Sequence, residues 1–170
     1  MVLCPYCGSK IIEGDDTCSE CQASLADLHL PLPASEVERA LLADRVGELQ
    51  PNAPLAVAPQ VPVGDVLQQM VDKSVGCMLV IEDGELKGIF TERDALMKLG
   101  PEVEDCRQRP VSEFMTTSPE TLAATAKVAF AVQRMDLGGF RHLPIVGADG
   151  ATQGLISVRD ILRYLTDKMG

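Results

Sequence analysis

Two stretches of this chain repeat one another: Gly88-Ile89-Phe90-Thr91-Glu92-Arg93-Asp94 and Gly154-Leu155-Ile156-Ser157-Val158-Arg159-Asp160. The second lies 66 positions after the first, and each follows an apolar segment and an Asp-Gly turn. An internal duplication constrains the architecture, because each copy has to form the same supersecondary unit. The sequence therefore predicts two copies of one small α/β unit.

Each repeated stretch places a hydroxyl residue three positions before a carboxylate, as Thr91 and Asp94 and as Ser157 and Asp160. At a strand-to-helix junction, the hydroxyl and the first helical N–H groups can hold a phosphate, and the carboxylate can accept hydrogen bonds from a ribose. The same arrangement also occurs as a simple helix start, where the carboxylate stabilises the helix dipole by about 0.3–1 kcal/mol. Because it recurs in the same topological position, we favour a nucleotide site.

Apolar periodicity predicts the order strand, helix, strand, strand, helix in each copy. The first copy has predicted strands at 55–58, 77–81 and 86–90 and predicted helices at 64–73 and 92–99. The second has predicted strands at 142–146 and 152–156 and predicted helices at 125–135 and 158–166. Neither unit can bury both faces of its sheet alone, so the two repeats are expected to pack sheet to sheet in an α/β (α+β) fold.

Proline-rich segments and composition divide the chain into a segment of 1–28, a linker of 29–50 and two copies at 51–105 and 106–170. Leu30-Pro31-Leu32-Pro33 marks the first boundary, and a capping box of Ser35 and Glu38 opens a linker helix that ends near 47. This helix is expected to pack on the core or on a second subunit. Residues 100–110 are interpreted as a polar linker with Cys106 as a linker thiol, whereas Cys77 is predicted to be a core residue.

The N-terminal segment carries four cysteines in two Cys-x-x-Cys pairs: Cys4, Cys7, Cys18 and Cys21. Four thiolates at this spacing can form a tetrahedral metal site, and Gly8 allows the turn that closes the first pair. The segment is too short for a core of its own, so a metal would supply the folding free energy, about 10–16 kcal/mol in comparable peptides.

This segment resembles zinc ribbons and, through Cys-Pro-Tyr-Cys-Gly, rubredoxin. The second pair, Cys-Ser-Glu-Cys-Gln, departs from the Cys-Pro-x-Cys-Gly that rubredoxins repeat. We therefore predict a structural zinc site, with iron as the alternative metal and an unmetallated or redox dithiol as the third alternative. A ribbon of this kind can be a docking surface for a partner, an electron carrier or a folded unit without chemistry.

Composition excludes several functional classes. The net charge of −10 argues against nucleic-acid binding, which needs a basic surface. No apolar run is long enough to span a membrane, and the N-terminus lacks the features of a signal peptide, so the prediction is a cytoplasmic protein. No nucleophile, base and orienting group stand together, and there is no glycine-rich phosphate loop. We interpret the chain as a binding and sensing protein and not as an enzyme.

Three sequence features together resemble a tandem pair of cystathionine-β-synthase (CBS) domains, also called a Bateman module. They are the duplicated Gly-x-x-(Thr/Ser)-x-x-Asp, the segment Phe114-Met115-Thr116-Thr117-Ser118-Pro119, and Arg141-His142-Leu143-Pro144-Ile145-Val146. Members of this family bind AMP, ADP, ATP or S-adenosylmethionine between the two copies, regulate a partner or an attached domain, and usually form homodimers.

The resemblance implies roles for ten residues. Asp94 and Asp160 would bind ribose hydroxyls, and Thr91 and Ser157 would bind phosphate or ribose oxygens. Arg93 and Arg159 stand beside the aspartates. The remaining implied contacts are to phosphate from Arg141 and His142, and to adenine from Thr117 and Pro119. In an alignment of the copies, Arg141 and His142 fall opposite Gly76 and Cys77, which predicts that the basic pair and the nucleotide belong to the Asp160 cleft.

The leading hypothesis is a regulatory protein that binds an adenosine nucleotide and uses a structural zinc ribbon to dock a protein partner. Two alternatives remain at this point. One is a rubredoxin-like iron electron carrier gated by the CBS pair, and the other is an adaptor whose clefts stay empty.

Overall fold

The structure is a computed structural model that describes residues 2–4, 6–12, 16–25 and 35–169. The predicted boundary at 28–29 and the Leu30–Pro33 segment lie outside these residues. Near the N-terminus, strands β1 (Val2–Leu3) and β2 (Lys10–Ile11) form an antiparallel pair. A small core beside them consists of Cys4, Ile11, Cys18 and Leu25.

Two separate sheets carry the repeats, as the sequence predicted. The first sheet has the order β3-β4-β5-β6, and its strands are β3 (Ala56–Val57), β4 (Cys77–Glu82), β5 (Glu85–Thr91) and β6 (Thr116–Thr117). The second has the order β7-β8-β9, and its strands are β7 (Leu122–Ala123), β8 (His142–Val146) and β9 (Thr152–Ser157). In both copies the first strand is parallel to the second and the second is antiparallel to the third.

Six α-helices lie in the described residues: α1 (Glu36–Ala43), α2 (Val63–Asp72), α3 (Glu92–Asp94), α4 (Val103–Cys106), α5 (Val128–Gly138) and α6 (Val158–Lys168). The prediction of one α-helix over 92–99 was only partly right, because α3 continues as a π-helix at Ala95–Leu99. The wider turn carries Lys98, whose ammonium donates to the carbonyl oxygens of Phe114 and Met115 at 2.8 and 3.0 Å. None of these helices has both the length and the apolar character needed to span a bilayer.

Each copy has its own hydrophobic core. Phe90 and Met78 are buried in the first core against α2, and Leu143 and Ile156 are buried in the second core against α5. A third, smaller cluster includes Cys77, Leu79 and Ile89 of the first sheet together with Leu155 of the second. Cys77 is therefore a core residue, and the two sheets share this cluster.

Residues 100–110 do not form the polar linker that the sequence predicted. They include α4, and Cys106 is 7% exposed in the first core, where it is not a linker thiol. The reason is the helical spacing of Val103 and Cys106, which turns both apolar side chains toward the same core.

The linker helix α1 packs on the second copy. The Asp44 carboxylate accepts hydrogen bonds from the Tyr164 hydroxyl at 3.0 Å and the Lys168 ammonium at 2.8 Å, both on α6. The Lys127 ammonium donates to the Ala43 carbonyl at 2.6 Å, and Val46 is fully buried in the second core. The sequence left two positions for this helix, on the core or on a second subunit. In the structure it packs on the core of the second copy.

The copies exchange short segments at their sheet edges. Strand β6, which precedes the first strand of the second sheet, pairs with β5 of the first sheet, with Thr116 opposite Ile89. In the same way Asn52, which precedes the first strand of the first sheet, bridges Leu155 in β9 of the second sheet. Each sheet is therefore extended by the segment that precedes the other sheet, and both segments run beside a repeated Asp.

Candidate nucleotide cleft and metal site

The first repeated carboxylate, Asp94, is held from four directions. One carboxylate oxygen, Oδ2, accepts hydrogen bonds from the Thr91 backbone N–H at 3.0 Å and the Thr91 hydroxyl at 2.6 Å. The other, Oδ1, faces the Thr116 hydroxyl at 3.0 Å and the Lys98 ammonium at 2.8 Å. Thr91 and Asp94 thus form the helix cap that the sequence allowed, and Oδ1 is the oxygen whose partners come from other turns and strands.

The second carboxylate, Asp160, repeats this geometry, but the partners of its Oδ1 atom lie at longer distances. Its Oδ2 accepts hydrogen bonds from the Ser157 N–H at 2.8 Å and the Ser157 hydroxyl at 2.7 Å. Its Oδ1 lies 3.4 Å from the Asn52 amide nitrogen and 3.5 Å from the Arg163 guanidinium. Asn52 therefore occupies the position that Thr116 has in the first copy.

Burial and charge act in opposite directions on Asp94. Burial alone would raise its pKa, but hydrogen bonds from Lys98, Thr91 and Thr116 outweigh burial and hold the pKa below the usual value. Asp94 is 7% exposed and is therefore a buried carboxylate that stays ionised at neutral pH. An ionised acceptor of this kind suits the hydroxyl groups of a sugar.

A cleft of about 630 Å³ opens beside Asp94, between the two copies. Its size is in the range of small-molecule sites. The first copy contributes the end of β5 and the turns of α3 and the π-helix, and the second contributes the end of α5 and the start of β8. The lining residues are Gly76, Ile89, Thr91, Glu92, Arg93, Asp94, Met97, Lys98, Thr116, Ser118, Pro119, Glu120, Gly138, Gly139, Phe140, Arg141 and His142.

The assignment of the basic pair to the Asp160 cleft was wrong. Arg141 and His142, which belong to the second copy, line the cleft beside Asp94 of the first copy. The alignment matched them correctly with Gly76 and Cys77, but equivalent positions in the two copies face each other across the interface. The start of β8 therefore points to the first copy's site. Gly76 lies here too, and a Cβ on it would come within 3.2 Å of the His142 ring.

The positive charge of this cleft comes from its arginines and lysine. Burial, and then Arg141 beside it, lower the pKa of His142, so that its imidazole is neutral at pH 7 and acts as a hydrogen-bonding group. Arg93 donates to the Gly139 carbonyl at 3.2 Å, across the boundary between the copies. Arg93, Lys98 and Arg141 are the cations that line the cavity.

The structure brings together six of the ten residues singled out for nucleotide binding: Thr91, Arg93, Asp94, Pro119, Arg141 and His142. Ser157 and Asp160 form the second motif, and Arg159 is exposed beside them. Thr117 is exposed and does not line the cavity, whereas its neighbours Thr116 and Ser118 do.

Four residues that contact the carboxylates were missed by sequence reasoning: Thr116, Lys98, Asn52 and Arg163. Lys98 stands four residues after Asp94, at the spacing of an ion pair on a helix, and this signal could have been used. Thr116 and Asn52 depend on the exchange of segments between the sheets, which no local spacing reveals.

The four N-terminal cysteines converge at one place. Their sulfur atoms all lie within 4.8 Å of one another. The Cys4–Cys21 and Cys7–Cys18 sulfur pairs are each 3.7 Å apart. A tetrahedron with metal–sulfur bonds of about 2.3 Å has edges of about 3.8 Å, so the donor set and its spacing fit a tetrathiolate metal ion such as zinc.

A serine hydroxyl lies against two of these sulfurs. Ser9 Oγ is 2.9 Å from Cys7 Sγ and 3.4 Å from Cys18 Sγ. Hydrogen bonding from Ser9 lowers the pKa of the Cys7 thiol and, with backbone hydrogen bonds, lowers that of Cys18 to about 6. A lowered thiol pKa favours the thiolate form that binds metals.

An aromatic pair brings the ribbon into contact with the second copy. The Tyr6 ring, between Cys4 and Cys7, packs on the Phe130 ring in the first turn of α5. The ring centroids are 5.8 Å apart, and the angle between the two ring planes is 30°. This distance is typical of packed aromatic rings.

A family comparison decides what the repeats are. The family model for the CBS domain matches residues 46–100 and 111–167. The chain belongs to the CBS domain family. The first match contains β3, β4 and β5 and the second contains β7, β8 and β9, so the duplicated unit of the sequence is the CBS domain.

One curated relative is similar to this chain over most of its length. An uncharacterized 17.7 kDa protein from the bps2 3′ region of Acidianus ambivalens is 30% identical over 127 residues, which cover 74% of this chain and 76% of that protein. Several other curated relatives are much longer, and the chain spans only 14% to 19% of their length.

Solved structures of CBS proteins have the same fold. A CBS-domain containing protein of Agrobacterium tumefaciens is 26% identical with a TM-score of 0.67, over 71% of this chain and 98% of that one. The protein CBSX2, solved in complex with AMP, is also 26% identical with a TM-score of 0.65, over 74% of this chain and 98% of that one.

Proposed function

We propose that this protein is a regulatory sensor that binds an adenosine nucleotide in the Asp94 cleft and carries a structural zinc ribbon for docking a protein partner. The observation that carries the proposal is the cleft itself, where an ionised, buried Asp94 stands across from Arg141 and His142 of the other copy. The AMP bound to CBSX2 supports the choice of ligand class. No activity as an enzyme is part of the proposal.

In this proposal, the two ends of the nucleotide are recognised by different copies. The ribose hydroxyls donate to Asp94 Oδ1, where the Thr116 hydroxyl and the Lys98 ammonium now lie. The phosphate lies among Arg93, Arg141 and the neutral His142. A ligand that needs both copies favours one relative arrangement of them, which is how binding would be transmitted to a partner.

Phosphate recognition is tested by comparing AMP with adenosine in titration calorimetry. Arg141→Ala is expected to weaken AMP binding about 10- to 100-fold and to leave adenosine binding nearly unchanged. A lost hydrogen bond to a charged group costs about 1.5–3 kcal/mol. The control is Arg159→Ala, because Arg159 is exposed and does not line the cleft. Equal binding of AMP to the wild type and to Arg141→Ala would contradict the phosphate assignment.

We also propose a homodimer that forms through helices flanking the cleft. Large apolar side chains are exposed on these elements: Val71 of α2, Leu96 and Met97 of the π-helix, Leu137 of α5 and Leu162 of α6. Leu96 and Met97 are each 77% exposed, although each is large enough to favour burial.

Light scattering at micromolar concentration is expected to give the mass of a dimer for the wild type. The double substitution Leu96→Glu, Met97→Glu should give a monomer, because it places two charges in the proposed contact. The control is Leu3→Glu, which changes an exposed leucine of the ribbon. A monomeric wild type would disprove the dimer.

A further inference from the structure

Ser9 is the residue of the ribbon that joins its two cysteine pairs. Cys7 belongs to the first pair and Cys18 to the second, and their sulfurs are 3.7 Å apart. The Ser9 hydroxyl oxygen lies beside both, at 2.9 Å from Cys7 Sγ and 3.4 Å from Cys18 Sγ. A hydroxyl has one proton, so it donates to one sulfur at a time, and the shorter distance selects Cys7.

The backbone of the first pair fixes this position. The Cys4 N–H donates to the Ser9 carbonyl at 2.8 Å, and the Gly8 N–H donates to the Cys4 carbonyl at 2.9 Å. Gly8 has a φ of 76°, which a glycine adopts without strain. These two hydrogen bonds place Ser9 beside Cys4, and the Ser9 hydroxyl lies against the sulfurs of Cys7 and Cys18.

We propose that Ser9 is a positioning residue of the metal site, whose hydroxyl donates a hydrogen bond to the Cys7 thiolate and holds the Cys7–Cys18 edge ready for the metal ion. The inference rests on the proposed metal binding by the ribbon. A coordinating thiolate keeps negative charge on sulfur, and a donor aimed at it stabilises the thiolate and fixes its direction. Outer partners of this kind typically contribute a factor of 10 to 100 in metal affinity.

The first measurement is zinc affinity, in competition with a chromophoric chelator, on the full chain. Ser9→Ala should bind zinc about 10- to 100-fold more weakly than the wild type. Ser9→Thr, which keeps the hydroxyl, should restore most of the affinity. The matched control is Ser19→Ala, because Ser19 is an exposed serine between Cys18 and Cys21 of the second pair.

The second measurement distinguishes a hydrogen bond from a packing role. With cobalt(II) in place of zinc, the thiolate-to-cobalt charge-transfer band should move to lower energy in Ser9→Ala, because the sulfur electrons lose the stabilisation that the hydroxyl proton gives them. Ser9→Thr and Ser19→Ala should keep the wild-type band position. A loss of packing alone would change the affinity and leave the band where it was.

The outcomes separate the two proposals. If zinc affinity and the cobalt spectrum are unchanged in Ser9→Ala, Ser9 has no positioning role. The proposed metal site is not contradicted by that result. If Ser9→Ala and Ser9→Thr both fail to hold a metal, the effect belongs to packing and the inference is overturned. If the wild type binds neither zinc nor cobalt, the proposed metal site itself is disproved.

Discussion

Replacing Cys18 and Cys21 by serine should remove the metal from the protein and unfold the ribbon, while the CBS pair keeps its melting transition. Metal binding supplies about 10–16 kcal/mol in comparable small zinc peptides, and the ribbon has only a small core of its own. The CBS cores are made of other residues, although the Tyr6 ring of the ribbon packs on the Phe130 ring of α5. The expected effect is the largest of any substitution proposed for this chain.

Metal analysis and calorimetry check this prediction. The wild type should hold one metal ion per chain, and the double variant should hold none. Cys106→Ala is the control, because this thiol is buried in the first CBS core and should not change the metal content. Metal retained by the double variant would rule out the tetrathiolate site. A red protein as purified would identify iron and favour the electron-carrier alternative, whereas a colourless one is expected for zinc.

The second large effect is expected at Asp94. Asp94→Ala should weaken AMP binding by about 10²- to 10⁴-fold, because two ribose hydrogen bonds to a charged acceptor are lost at about 1.5–3 kcal/mol each. Asp160→Ala is the matched control, since Asp160 caps its helix in the same way and is 8% exposed against 7% for Asp94. It should keep AMP affinity close to that of the wild type.

Folding has to be checked beside affinity, because Asp94 also pairs with Lys98. The Lys98 side chain is 39% exposed, so water can solvate its charge when the partner is removed. Asp94→Asn keeps the shape of the side chain and should also weaken AMP binding. If Asp160→Ala abolishes AMP binding and Asp94→Ala leaves it intact, the nucleotide belongs to the other cleft.

The interface between the copies explains why local sequence patterns misplaced the basic pair. Repeats at a constant spacing predict equivalent units, and in both copies the first strand is parallel to the second and the second is antiparallel to the third. A residue at a given position of one copy can line the site of the other copy, because the start of β8 faces α3 of the first copy. Arg141 and Asp94 therefore line the same cavity, which no comparison of one copy with the other can indicate.

The buried state of Cys106 has a similar cause. Its neighbours are charged and proline-bounded, so the sequence favoured a linker, yet α4 covers the first core with this thiol at its end. Asn52 and Thr116 are polar residues in proline-containing segments, and their contacts to the carboxylates come from pairing with distant strands. Interactions at long sequence separation depend on packing and not on local propensity.

The sequence by itself determined the duplicated unit, the repeated Thr91/Asp94 and Ser157/Asp160 pairs and the spacing of the four cysteines. These features follow from periodicity and short-range geometry, which neighbouring residues decide. Only the tertiary structure decided that the linker helix belongs to the second copy, that the cleft at Asp94 receives Arg141 and His142, and that Ser9 touches two sulfurs. The physical reason is that these contacts form where separate segments pack together, and the lowest free energy of that packing is a property of the whole chain.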